Sequence, residues 1–218
     1  MPAQPRPHRG APLRSAAVPA RRRVLAGLGL AAAAPLLAAC SGNEDDGLAA
    51  QAGNADGKNY IAGDGSVAEY APDKRSEPVE FEATLFDGET ITGESLRGAP
   101  ALLNFWYAAC APCRAEAPHL VALHDQFEPK GVQFLGVNVR DTATTAQAFE
   151  RRFEIPYPSI EDVRGEVLLA MTDYVPPQAV PSTLVLDAQG RVAARVLGAA
   201  EESTLKALLT TVVDESEQ

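Results

Sequence analysis

From residue 78 onward, short apolar segments of two different periods alternate along the chain, and that alternation limits the folds available to it. Val79-Glu80-Phe81-Glu82-Ala83 alternates apolar and polar positions, the pattern of a half-buried strand. An Asp87-Gly88 turn and Thr90-Ile91-Thr92 follow, which predicts a β-hairpin. Ala101-Leu102-Leu103-Asn104-Phe105-Trp106-Tyr107 is nearly all apolar, as expected of a strand buried on both faces. Helical spacing takes over from about Cys110 to Phe127, where Pro112 is tolerated in the first turn. A strand is predicted over Val132 to Asn138, and helices over Thr145 to Phe153 and Glu166 to Tyr174. Strands over Ser182 to Leu186 and Arg191 to Val196 flank an Asp187-Ala188-Gln189-Gly190 turn. A last amphipathic helix over Glu201 to Val213 sets Leu205, Leu208, Leu209 and Val212 on one face. The order of elements predicts an α/β domain over residues 78–218, a mixed central sheet flanked by helices. About 140 residues suffice for one core.

The first third of the chain reads differently. Residues 1–39 hold six Arg and no Asp or Glu, and the sixteen residues from Val24 to Ala39 carry no charge. That run is shorter than the roughly 20 residues a membrane span needs. A basic start, a short apolar stretch and small residues at its end predict a secretory signal over residues 1–39. Leu37-Ala38-Ala39-Cys40, followed at once by Ser41-Gly42-Asn43-Glu44-Asp45-Asp46, resembles a bacterial lipobox, which makes Cys40 the expected lipidation site. Several acyl chains on that residue would anchor it stably, as one chain does not. Arg21-Arg22-Arg23-Val24-Leu25 is similar to a twin-arginine export signal but lacks the aromatic residue often found after the pair, so the choice between Tat and Sec stays open. Residues 40–77 are rich in Gly, Ala, Asp and Asn without periodicity, and are expected to form a lipidated flexible tether.

Charge narrows the function. Without its first 39 residues the chain keeps thirteen of its nineteen basic residues against all twenty-nine acidic ones, a formal charge near −16. Nucleic-acid binding wants clustered Lys and Arg, so it is excluded as the main role. The same charge disfavours adsorption to anionic lipid, so contact with a membrane falls to the anchor on Cys40.

The chemistry lies at Cys110-Ala111-Pro112-Cys113, between a buried strand and a helix. A cysteine at a helix start is favoured as a thiolate by unpaired backbone N–H groups and the positive helix end. A second thiol one turn on can attack a mixed disulfide and release the product. Cys110 is therefore the expected nucleophile and Cys113 the resolving thiol. A zinc site would need four ligands, and His119 and His124, five apart on the same predicted helix, read better as solvated helix residues; no metal is expected. A disulfide closing so short a loop would be a poor structural staple.

The segment from Asn104 through Cys110 and Cys113 to Pro118 resembles the active-site stretch of thioredoxin-fold proteins, and more narrowly that of the TlpA/ResA-like membrane-tethered thiol–disulfide oxidoreductases. Gly136-Val137-Asn138-Val139 and Val180-Pro181-Ser182-Thr183 extend the likeness, which covers roughly residues 78–215. The resemblance implies a thioredoxin-like fold with an N-terminal β-hairpin and a central helix/strand insertion at residues 141–178. It implies that Pro181 is cis and, with Val180 and Trp106, lies on the substrate side of the cysteines. It implies a buried glutamate at Glu116, with proton affinity raised by burial, that tunes the cysteines and shuttles a proton. No cofactor beyond a redox-active Cys110–Cys113 disulfide is implied. Two positions depart from the pattern: Ala109 stands where Trp is usual, and Asn104 stands where thioredoxins carry a buried acid.

The function the resemblance implies is reduction of disulfides in exported proteins, with electrons from a membrane dithiol donor. The haem-attachment Cys-x-x-Cys-His of apocytochrome c is its leading substrate. A disulfide-forming oxidase or a broad thiol reductase is the alternative, since direction depends on redox poise. A copper carrier is a third reading, but it would need a histidine outside the helix of Cys113. A peroxidase would want Thr-x-x-Cys around Cys110, which is missing.

Overall fold

A computed structural model describes residues 66–218. The signal expected at residues 1–39, the lipidation expected at Cys40 and the tether up to residue 65 lie outside the described residues.

Eight strands and four helices make up the domain: β1 (Val67–Glu69), β2 (Glu82–Thr84), β3 (Thr90–Thr92), β4 (Ala101–Trp106), α1 (Ala111–Phe127), β5 (Gln133–Asn138), α2 (Ala143–Phe153), β6 (Ser159–Glu161), α3 (Glu166–Ala170), β7 (Ser182–Leu186), β8 (Val192–Leu197) and α4 (Glu202–Ser216). Six strands form one sheet in the order β1-β8-β7-β4-β5-β6, and β2 and β3 form a separate hairpin. The neighbours β4, β5 and β6 are parallel, while β7, β8 and β1 alternate antiparallel, so the sheet is mixed as predicted.

β4 sits at the centre because its sequence tolerates burial on both sides: all six of its residues are buried. Ala101, Leu103 and Phe105 meet Leu135, Val137, Leu184 and Met171 on one face. Leu102 on the other face packs with Leu120, Leu123 and Phe127 of α1 and Leu205 and Leu209 of α4. Each such fully buried side chain contributes about 1.5–3 kcal/mol relative to exposure. The hairpin covers the β6 edge through a Leu85–Ile160 bridge and a bond from Phe86 N–H to the Ser159 carbonyl, which keeps that edge from pairing elsewhere.

Two boundaries depart from the sequence reading. The domain begins by residue 66, not 78. Val67–Glu69 adds an edge strand antiparallel to β8, Ala68 and Ala71 are buried, and the Arg75 side chain, 3% exposed, pairs with Asp187 at 2.9 Å and Glu215 at 2.8 Å. A three-residue strand leaves too short a periodic signal to rise out of a Gly- and Ala-rich stretch. β6, too short to show a period of its own, supplies the strand that the resemblance implied for the insertion, and its Ile160 is wholly buried. The helix expected to reach Tyr174 stops at Ala170, and separate turns carry the chain on to Val175.

Candidate functional site

Cys110 caps α1 in an extended conformation, directly beyond the central strand. Its sulfur accepts a hydrogen bond from the Cys113 N–H at 3.1 Å, one of the first-turn donors that no helical carbonyl can satisfy. The two cysteines are joined in a disulfide with Cα atoms 5.3 Å apart, and each is only 2% exposed. Pro112 occupies the first turn, where its missing N–H is not needed. The Val180–Pro181 peptide is cis, as the resemblance implied. Val180 packs on the cluster holding the cysteines, and the Pro181 carbonyl accepts from Gly198 N–H at 2.9 Å.

The loop before Cys110 is pinned from outside the motif. Asp141 Oδ2 accepts from the Ala108 N–H at 2.6 Å and from Asn138 Nδ2 at 2.9 Å, while Asn138 Oδ1 accepts from the Arg140 and Asp141 N–H groups. Arg140 lies over the Tyr107 ring at 4.2 Å, and Arg114, over Phe153 at 5.2 Å, donates to the Ala108 carbonyl at 3.3 Å. Asp141 was not singled out from sequence; the available signal was an Asn-x-x-Asp turn directly after a buried strand.

Glu116, one turn beyond Cys113, is 2% exposed. Oε1 accepts from Asn104 Nδ2 at 2.8 Å and Oε2 from the Ala200 N–H at 3.1 Å. Asn104 also donates to Thr183 Oγ1 at 3.2 Å, which fixes its amide. Burial pushes the Glu116 carboxyl up to about 7, against the opposing pull of those two hydrogen bonds. The carboxyl therefore changes protonation near neutrality, which suits it to exchanging protons with a neighbouring thiol. Asn104 thus keeps a role where the sequence reading saw only a missing acid: it orients the acid that is present.

Trp106 departs from its expected place. It is 4% exposed and its ring lies 4.4 Å from that of Phe149 on α2, so it forms the floor beneath the cysteines and not the substrate side. Being the last inward position of β4, it is enclosed between α1 and α2. A narrow cavity, with about 10 Å³ of room for the centre of a water molecule, lies among Asn104, Trp106, Cys113, Phe149, Tyr157 and Ser159. His124, expected to be solvated, is instead half-buried, its ring 5.3 Å from Phe134 and 5.8 Å from Tyr157. Among the described residues, no three His, Cys, Asp or Glu side chains converge as a metal site.

Thiol-disulfide oxidoreductase ResA of Halalkalibacterium halodurans is 27% identical over 138 residues, covering 63% of this chain and 76% of that protein. Thiol:disulfide interchange protein HelX of Rhodobacter capsulatus is 33% identical over 135 residues, covering 62% and 70%. The crystal structure of a secreted thiol-disulfide isomerase from Corynebacterium glutamicum superimposes with a TM-score of 0.63 at 28% identity, over 72% of this chain and 97% of that one. Residues 75–195, more than half of the sequence and spanning the cysteine pair, the buried acid and the cis-proline loop, match the AhpC/TSA family, and the chain belongs to it.

Proposed function

We propose that the chain is an extracytoplasmic thiol–disulfide oxidoreductase that reduces disulfides of exported proteins. The observation that carries this reading is a redox-bonded Cys110–Cys113 pair at a helix start, one turn from a buried carboxyl that titrates near neutrality. In the reduced chain the Cys110 thiolate attacks a substrate sulfur, and the substrate's other sulfur leaves with the bonding pair. Cys113 then gives its proton to Glu116 and attacks the Cys110 sulfur. The disulfide re-forms in the protein, and the second substrate sulfur leaves as a thiolate that takes a proton from solvent. Two electrons pass to the substrate, and a membrane dithiol donor restores the pair. The chemistry calls for no cofactor beyond the disulfide itself.

The likeness to ResA and HelX supports substrates among exported proteins, with the haem-attachment cysteines of apocytochrome c as the leading candidate. An acyl anchor on Cys40 would hold the domain at the outer face of the cell membrane. Val180, packed on the cysteine cluster, and the cis Pro181 that follows it would receive the substrate backbone, and the small, exposed Ala109 leaves room at the rim.

Trapping tests this. A Cys113→Ser chain should accumulate a mixed disulfide through Cys110 with its substrate, identifiable by mass spectrometry, and Cys110→Ser should accumulate none. Equal trapping by both variants, or no disulfide-reducing activity in the native chain, would overturn the reading. A measured reduction potential in the strongly oxidising range would reverse the proposed direction.

A further inference from the structure

Besides Glu116, a second acid, the half-buried Glu150, lies near the redox site through Ser159. The cavity that touches Cys113 is lined also by Tyr157, Ser159 and Asn104, which holds Glu116. Gly136 keeps this region open: a Cβ there would stand 2.2 Å from Ser159 Oγ and 2.8 Å from Trp106 Nε1, so only glycine lets those two polar groups face each other across β5. Beyond Ser159 lies Glu150 of α2. Ser159 Oγ and Glu150 Oε1 are both buried atoms without a well-formed hydrogen bond to any described protein group. The Ser159 hydroxyl is nevertheless near enough to lower the proton affinity of Glu150, as does Arg151, both opposing burial, which raises it more strongly. Tyr157 lies within the field of both carboxyls: burial, Glu116 and Glu150 all push its phenol upward. His124 also packs against Tyr157, its ring 5.8 Å away.

Glu116 itself is 2% exposed, so a proton it takes from Cys113 has no direct way to water. The single-water cavity that touches Cys113 also touches Ser159, whose hydroxyl neighbours the half-buried Glu150. We propose that Ser159 and Glu150 form the proton exit of the redox site, carrying protons between the Cys113 cavity and solvent. The inference rests on the reading of Cys113 and Glu116 given above. When Cys113 attacks the mixed disulfide, its proton passes to Glu116 or into the cavity, then by way of the Ser159 hydroxyl to the Glu150 carboxylate, which releases it to water. Re-reduction of the pair draws protons inward along the same groups. The electron balance stays that of thiol–disulfide exchange, because only protons use this route.

The experiment follows release of substrate thiol from the reduced full chain and a disulfide-bonded model peptide, by stopped flow in weakly buffered solution between pH 6 and 9. Glu150→Ala and Ser159→Ala should slow the resolving step about tenfold, a fraction of the ~10²-fold or more supplied by a directly placed acid–base group. Added formate or imidazole should restore the rate of Glu150→Ala, and Glu150→Asp should stay close to the native rate. A purely structural residue would give no rescue by a small diffusible acid. Native rates in Glu150→Ala and Ser159→Ala, alongside a slowed Glu116→Gln, would overturn the exit and leave the Glu116 reading standing. Slow variants that neither small acids nor Glu150→Asp rescue would overturn it too. A native Glu116→Gln rate would overturn the reading beneath both.

Discussion

Replacing Glu116 by Gln should remove a pH dependence of stability that the native chain shows between about pH 5 and 8. In the unfolded chain this carboxyl titrates near its ordinary 4.5, and in the fold burial moves it to about 7. Below the unfolded value both states hold the proton and nothing distinguishes them. As pH rises, the unfolded chain loses its proton first, and the folded chain must keep one or bury a charge, so stability falls until pH has passed 7. A tenfold change in proton affinity is worth about 1.4 kcal/mol, so the fall across this window is about 3 kcal/mol. Gln is always neutral and removes that slope. It also turns one acceptor oxygen into a donor facing either Asn104 Nδ2 or the Ala200 N–H, a mismatch that costs about 1–3 kcal/mol at every pH. Urea unfolding of the oxidised proteins at pH 5 and pH 8, followed by the fluorescence of the single Trp, measures both effects. The variant should be weaker at pH 5 and should lose about 3 kcal/mol less than the native chain on going to pH 8. Equal losses in the two proteins would refute the claim that burial of this carboxyl sets its titration.

Other outcomes follow from the same structure. Arg75→Ala removes the cation shared by buried Asp187 and half-buried Glu215, while Arg191 stays on Asp187, and should destabilise by about 1–3 kcal/mol in urea unfolding. Burial pushes the Asp187 carboxyl up, but the Arg191 N–H and the Arg75 and Arg191 side chains outweigh it and hold it below its ordinary range. Asp187 therefore stabilises the fold above its unfolded value and loses that contribution as pH falls, and the loss should be smaller in the Arg75 variant. Asp141→Asn keeps an acceptor near Ala108 while removing a negative charge from the loop before Cys110. Its Cys110 thiolate should form at lower pH, read from the pH profile of alkylation by iodoacetamide. An unmoved profile would show that Asp141 acts only through its hydrogen bonds.

The redox pair was legible because the chemistry and the fold share one short stretch. A two-face-buried strand running into Cys110-Ala111-Pro112-Cys113 states both where the helix starts and what its first turn does. Glu116 followed from helical spacing beside a resemblance, but its partners did not: Asn104 comes from β4 and the Ala200 N–H from the turn after β8, far away in sequence. Periodicity reports which way a residue faces and not what waits there. Trp106 shows the same limit, since its place at the end of β4 was plain while its enclosure against Phe149 depends on where α2 docks. β1 and β6 escaped the periodicity because three residues cannot display a period, and their pairing partners supply what their own sequences lack. The proposed Glu150–Ser159 route joins a helix and an edge strand that no local pattern connects.

The row of pairings across the sheet gives the domain a polarity. Ser66 accepts from the Leu197 N–H, Leu197 pairs with Ser182, and Ser182 pairs with Phe105, next to the strand end that leads into Cys110. At about 4.8 Å per strand, Ser66 stands roughly 14 Å from β4 on the rim that bears the cysteines. α4 starts on that rim, where the Ala200 N–H reaches Glu116, and runs away from it, so that Glu215 meets Arg75 at the opposite end. A fluorophore or fusion placed ahead of Ser66 would crowd the reactive face, whereas one placed after Gln218 would leave it clear.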